Sequence, residues 1–331
     1  MHALVYTALR QLIVEERPRP QPAAGEMEIA VAAAGICGAD LSGFLGRSRR
    51  RTPPLVLGHE LVGRTREEQR VVVDPLIGCG HCTNCRSGRG NLCSGLRLFG
   101  MDALAGCFAE FVAVPRSQVH EIPDELDDRE AILAEPLANI VHLFRLAAPQ
   151  PRFSMGIVGV GTMGALALKM ALHLGASEVL VEDVDTVRLA TARQMGATLA
   201  ANSETESGEA RSFAGRGAED GLDLVLDACG SEEARQEAFH LCKPGGTVVL
   251  LGMAAERSEL DFGASIRREQ RVLMSFGYTA MDFKRSLDLL VAGKIDLTEW
   301  TAELPLADGQ KAFERMIGSR GDTLKMLLRV R

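Results

Sequence analysis

"MGIVGVGTMGALALKMALHLGASEVLVEDVD", residues 155–185, decides the fold. Its apolar opening predicts a short strand that ends at Gly159-Val160-Gly161-Thr162-Met163-Gly164. The run from Ala165 to Leu174 predicts an amphipathic helix, and Glu178 to Glu182 a second strand ending at Asp183. The glycines have distinct tasks: a tight turn, backbone approach to a pyrophosphate, and close helix-to-strand packing. Thr162 and Met163 open the helix, whose free N–H groups then face phosphates. Asp183 follows Gly164 by 19 residues, where a carboxylate accepts hydrogen bonds from the adenosine ribose and repels a 2′-phosphate. Arg188 can accept such a phosphate or cover the adenine, but the charge of Asp183 favours NAD over NADP. Further βα units follow at 221–230, 242–253 and 270–278, so this part reads as a doubly wound parallel sheet.

Upstream, "CGHCTNCRSGRGNLC" (79–93) places four of the eight cysteines in the pattern C-x2-C-x2-C-x7-C. The N-terminus lacks the basic and apolar segments of a signal peptide. The best apolar run is broken by Lys169 before the ~18 residues a membrane span needs. The chain is therefore expected in the cytoplasm, where thiols stay reduced and disulfides are rare. A redox C-x-x-C belongs at a helix start in a βαβ unit, and this glycine-rich stretch is neither. Cys79, Cys82, Cys85 and Cys93 instead have the ligand type and spacing of a closed structural Zn²⁺ site.

A second group of residues is scattered. Cys37 and Asp40 lie in "AGICGADLSG", His59 and Glu60 in "LVLGHELVG", and Glu135 in "LAEPLANIVH". One thiolate, one imidazole and carboxylates in glycine-containing segments have the composition of a catalytic zinc site with an exchangeable position. A net charge of −7 argues against a phosphate-backbone binder, and one Trp with two Tyr leaves little to stack on bases. Neither a nucleic-acid nor a membrane partner is expected. Arg47, Arg49, Arg50 and Arg51 read as a solvated basic loop rather than a recognition site for an anionic substrate. Cys107, Cys229 and Cys242 read as small core residues.

With these elements in chain order, the sequence resembles the zinc-dependent medium-chain dehydrogenases, in the sorbitol- and polyol-dehydrogenase-like branch. The resemblance runs through "GICGAD", "GHE", the cysteine lobe, "GCFAEFVAVP" (106–115), "AEPLANIVH", the glycine loop and "SLDLLVAGKID" (286–296). It implies an α/β protein in which a GroES-like β-rich catalytic domain (1–138 and 279–331) surrounds a Rossmann NAD-binding domain (139–278). Carried over by motif, Cys37, His59 and Glu135 are catalytic zinc ligands, with Glu135 standing where the alcohol-dehydrogenase branch has a second cysteine. Glu60 resembles a carboxylate that exchanges on the metal, and Asp40 an acceptor that fixes the tautomer of His59.

Two departures stand out. Relatives carry Ser or Thr two residues after the first zinc cysteine, where Ala39 has no hydroxyl to pass on the substrate's proton. The turn after "GHELVG" is also short, with "RTREEQR" leading straight into Val71–Val73. The implied activity is NAD-dependent interconversion of a secondary alcohol and its ketone, on a polyol, sugar, sugar phosphate or cyclitol. Two zinc ions per chain are expected, and without a hydroxyl at residue 39 proton release is expected through Glu60, Glu135 or Ser42. One alternative is a biosynthetic reductase of a bulkier aminocyclitol or 3-hydroxy amino acid; another is an inactive zinc-stabilised NAD-binding sensor. The family also implies a homodimer or homotetramer built through the strand near "VLMSFGY".

Overall fold

Eleven consecutive residues, Glu26–Ile36, form the longest strand among those described, and the first unit is organised around it. The computed structural model describes residues 1–203, 221–318, 321 and 323–330. It divides into two units, Met1–Glu135 with Tyr278–Arg331, and Pro136–Gly277.

In the first unit β1 (His2–Ala8) pairs antiparallel with β2 (Gln11–Glu16) and, on its other side, with β4 (Leu55–Val56). The long strand is β3. It pairs with β5 (Glu60–Arg64), which pairs in turn with β6 (Arg70–Val73) and onward to β10 (Val119–Glu121). The short segment 65–69 thus makes a tight antiparallel hairpin, with Val62 opposite Val72. Between them β7 (Leu76–Ile77) and β8 (Arg97–Leu98) form a small ribbon at the base of the cysteine lobe. The first half of β3 pairs with β9 (Phe111–Pro115).

Its last residues pair with β18 (Lys325–Arg329), which lies parallel to β17 (Thr301–Pro305). The two ends of the chain therefore share one sheet. Alternate residues of these strands, Ile29 and Val31 among them, enter a buried core with Phe44, Phe108 and Phe313. The Phe108 and Phe313 rings meet edge-on at 6.0 Å, the geometry their quadrupoles favour.

Four helices precede the second unit's sheet: α1 (Gly38–Phe44), α2 (Thr83–Arg86), α3 (Asp128–Ala131) and α4 (Ala134–Ala147). The sheet runs in the order β13-β12-β11-β14-β15-β16 and is parallel throughout. Its strands are β11 (Ser154–Val158), β12 (Glu178–Asp183), β13 (Leu199–Asn202), β14 (Leu222–Asp227), β15 (Cys242–Leu250) and β16 (Arg271–Met274). Among the described residues, the helices that follow its strands are α5 (Thr162–His173), α6 (Thr186–Gln194), α7 (Glu232–Leu241) and α8 (Phe262–Arg267). The fully buried residues of β11 form the near-continuous apolar run expected of a parallel strand covered on both faces. The first unit then closes with α9 (Ala280–Val291) and α10 (Gly309–Ile317). No helix among the described residues is long and apolar enough to cross a membrane.

Candidate active site

The cysteine lobe brings its four sulfurs within 4.8 Å of one another. All four thiols are free, and Cys79 and Cys85 Sγ are 3.9 Å apart, far beyond a disulfide bond. Backbone N–H groups already serve the sulfurs: Cys85 donates to Cys82 Sγ and Cys79 to Cys93 Sγ, both at 3.4 Å. Backbone N–H groups of His81 and Cys82 pull the Cys79 thiol down to about 6. A Gly80 N–H favours the Cys85 thiolate, yet burial and the adjoining thiols push Cys85 up to about 11. Four crowded sulfurs cannot all be anionic without a cation, and a tetrahedral Zn²⁺ is the ion this donor set fits.

The second group is assembled by strand register. Cys37 follows the last residue of β3 and caps α1, and His59 immediately precedes β5. Gly35 of β3 lies opposite Glu60 of β5, so one antiparallel pairing brings all three candidate ligands together. Cys37, His59 and Glu60 offer ligand atoms within 4.8 Å of one another, in a setting where His59 and Glu60 are buried. Glu135, expected as a further ligand of the same ion, lies outside that group of three. Ser42 and Ala39 are both on α1 and part-exposed, and Ala39 presents only a methyl group.

Asp40, in the first turn of α1, is fully buried. Its Oδ2 accepts the Cys37 N–H at 3.1 Å, and Oδ1 lies 3.6 Å from His59 Nδ1, an electrostatic contact longer than a hydrogen bond. Burial opposes its charge, but His59 and Arg51 prevail and hold the carboxyl below the usual range. Burial likewise disfavours a charged His59, yet Asp40 and Cys37 raise its pKa well above the ordinary value. Apart from an ion pair with Lys325, neither Glu60 oxygen has a hydrogen-bond partner among the described residues. A thiol, an imidazole and a buried carboxylate whose Oε1 has no hydrogen-bond partner, around one point, fit a divalent zinc ion.

Several buried polar side chains beside the candidate ligands carry little signal in the sequence. Lys325 is 1% exposed, pairs with Glu60 and donates to Ile36 O at 3.2 Å. The only clue is a lysine inside the apolar run "LKMLLRV". Tyr278 donates to Asp74 Oδ1 at 3.2 Å, and both side chains are buried. Burial pushes Asp74 up to about 7, with the Glu135 carboxylate adding to it. Burial, Asp74 and Glu135 raise the Tyr278 phenol in turn.

The basic run is not one solvated loop. Arg50 is exposed and grips Asp102 at 2.6 Å, whereas Arg51 turns inward against Asp40. The reason is local: Asp40 is a buried charge, and Arg51 is the neighbour whose stem can lie along α1.

In the second unit the glycine loop joins β11 to α5. Gly159 has φ +97°, and a Cβ on Gly164 would fall 2.0 Å from Gly159 O, so both positions require glycine. Gly161 caps α5, and Thr162 and Met163 form its first turn, where backbone N–H groups lack helical partners. Asp183 Oδ2 accepts Val160 N–H at 2.7 Å and Oδ1 accepts Asp185 N–H at 3.0 Å. This pins the end of β12 to the loop and leaves lone pairs for a ribose. Arg188 is buried and lies 3.8 Å from Asp183, drawn in by two aspartates rather than reaching outward. Cys107 and Cys242 are core residues, but Cys229 is exposed. It follows β14 at the end of the sheet, where the chain turns outward beside Gly159.

A family described as zinc-binding dehydrogenase matches residues 160–292, and one described as alcohol dehydrogenase GroES-like domain matches residues 23–124. The chain is similar to the L-threonine 3-dehydrogenase of Saccharopolyspora erythraea, 32% identical over 329 residues and covering 95% of each chain. It is 28% identical over 345 residues to the sorbitol dehydrogenase of Bacillus subtilis, covering 99% of this chain and 97% of that one. An Escherichia coli CFT073 alcohol dehydrogenase complexed with NADH has the same fold, with a TM-score of 0.91 at 28% identity. That match covers 100% of this chain and 99% of the other.

Proposed function

Because this chain belongs to the zinc-dependent medium-chain alcohol dehydrogenase family, we propose that it transfers a hydride between NAD and a secondary alcohol of the polyol, sugar or sugar-phosphate class. The observation that carries the reading is the convergence of Cys37, His59 and Glu60 through the β3–β5 register. Zinc held there supplies a Lewis acid for the alcohol oxygen, and NAD at the glycine loop supplies the hydride acceptor. Cys37 and His59 provide a thiolate and an imidazole, and Asp40 keeps the ring oriented. Glu60 provides the third ligand, its charge balanced by Lys325.

Proton release falls to a carboxylate, Glu60 or Glu135, or to Ser42, because Ala39 cannot serve. Glu135 is suited to this role by standing outside the three-ligand group, near the Tyr278–Asp74 pair. The carboxylate of Asp183 and the inward turn of Arg188 favour NAD over NADP. The unit Met1–Glu135 with Tyr278–Arg331 then serves as the catalytic domain and Pro136–Gly277 as the nucleotide domain. Free cysteines suit the reducing cytoplasm, and the edge strand β16 suits pairing with a second copy.

A second substrate class, a 3-hydroxy amino acid, is supported by the likeness to L-threonine 3-dehydrogenase. A zinc assay combined with NAD-coupled turnover on polyols, sugar phosphates, cyclitols and 3-hydroxy amino acids tests both. Two zinc ions per chain and NADH formation on one class are expected. Protein fully loaded with zinc that turns over none of them would sink the reading.

A further inference from the structure

The buried face behind His59 holds a cation that nothing in the dehydrogenase reading requires. Three groups converge on Asp40 Oδ1: Gly58 N–H donates at 3.3 Å, while His59 Nδ1 and Arg51 Nε each approach to 3.6 Å. The second oxygen is committed to the Cys37 N–H. Arg51 is 7% exposed, and its Nη1 lies 3.8 Å from Met101 Sδ. Its stem lies along α1 over Gly43, where a Cβ would stand 2.7 Å from Arg51 Cβ and 3.0 Å from Cδ. Gly43 thus leaves the groove that lets an arginine reach a carboxylate sealed from water.

That carboxylate needs a fixed partner. A buried charge is tolerated only when paired, and removing one partner leaves the other uncompensated. His59 cannot fill this role: with Nδ1 turned to Asp40, its other nitrogen remains for a metal, and a metal ligand is a neutral imidazole. Arg51 is the one permanent cation among the contacts to Asp40. Its burial also removes it from any task in binding an anionic substrate, which leaves Arg47, Arg49 and the Asp102-paired Arg50 as the exposed members of the run.

We propose that Arg51 is a positioning residue for the catalytic metal: through Asp40 it fixes the imidazole of His59 in the ligating orientation. This rests on the zinc dehydrogenase reading above. Groups that orient a ligating histidine commonly govern metal affinity by about 10- to 100-fold, and Arg51 acts one step further out, at the lower end of that range.

The test is competition for zinc with a chromogenic chelator, the four-cysteine site serving as internal reference. Arg51→Met keeps the stem over Gly43 and removes the charge; Arg51→Lys restores a charge. Arg51→Met is expected to weaken the catalytic-site zinc about tenfold, with Arg51→Lys recovering part of the loss and the cysteine site unchanged. Because the effect runs through Asp40, Asp40→Asn with Arg51→Met together should be no weaker than Asp40→Asn alone. Additive losses, or native affinity in Arg51→Met, overturn the inference. If Arg51→Met does not fold, Arg51→Gln against Arg51→Lys makes the same comparison. Wild-type protein that holds only the cysteine-site zinc and oxidises no alcohol overturns the dehydrogenase reading, and this inference with it. Two zinc ions in the wild type with an indifferent Arg51→Met overturn this inference alone.

Discussion

Ala39 stands in the first turn of α1, two residues after Cys37, with only a methyl group to offer. General acid–base assistance is typically worth ~10²–10⁴-fold, so a relay that is truly broken leaves a large rate to be recovered. The retention of Glu60, Glu135 and Ser42 points the other way, to a relay that passes through another group. Ala39→Ser is therefore expected to raise kcat less than about tenfold, while Glu135→Ala lowers it about 100-fold with both zinc ions retained. A larger gain from serine, most visible at low pH, would mean that the relay is incomplete.

Asp74 gives a second prediction at this scale. Its carboxyl titrates at about 7 in the folded protein against an ordinary 3.8, so the folded state keeps a proton that the unfolded chain releases. That contribution to stability is complete below the unfolded value and is lost as pH rises through the folded one. Relative to Asp74→Asn, which cannot ionise, the wild type should lose about 2 kcal/mol between about pH 5.5 and about pH 7.5. Denaturant unfolding of both proteins across that window measures it, and parallel curves would contradict the assignment.

At the scale of elements, the cysteine lobe is the clearest dependence of structure on a metal. Its helix α2 has four residues, too few to stand alone, and its N-cap is Cys82, whose sulfur accepts the Cys85 N–H. The ribbon β7–β8 beneath it pairs two residues with two. What holds these pieces is the convergence of four sulfurs, and zinc affinity there is folding energy. Cys85→Ser should leave one zinc per chain and lower the thermal midpoint by several degrees, as metal analysis and calorimetry will show. Undiminished zinc with unchanged unfolding would remove the structural assignment.

This lobe and the glycine loop were readable because contiguous residues build each of them: the spacing is the geometry. Residue type grouped Cys37, His59 and Glu60 with Asp40 and Glu135, and the resemblance gave them roles, but local spacing could not show their meeting, which depends on the register of β3 against β5. Cys229 was misread for a related reason. Its apolar neighbours describe β14, but the residue itself lies beyond the strand end, where burial stops.

At the scale of the whole molecule, the residues that sequence did not disclose are those placed by pairing between distant segments. Lys325 reaches Ile36 O across 289 positions because β18 returns to lie beside β3. Tyr278 meets Asp74 across 204 positions, and Arg51 differs from Arg47, Arg49 and Arg50 only in which way the fold turns it. Local pattern carries no record of such partners.

Assembly is the remaining question at this scale, and the edge strand β16 bears on it. It terminates the six-stranded sheet, and Met274 is 79% exposed, with Val272 and Phe276 also exposed. Phe262 and Ile266 of α8 are exposed as well. A short, mostly apolar edge, charged only at Arg271, without proline and paired on one side alone among the described residues, is a template for pairing. A two-fold axis lets the same patch serve both partners and closes the assembly. We therefore expect a dimer or tetramer in sedimentation velocity at micromolar concentration. Met274→Lys, which sets a charge against its own copy across the axis, should shift the protein to monomer while the zinc content stays at two per chain. A wild type that sediments as a monomer throughout that range would show that β16 is covered by nothing of its own kind.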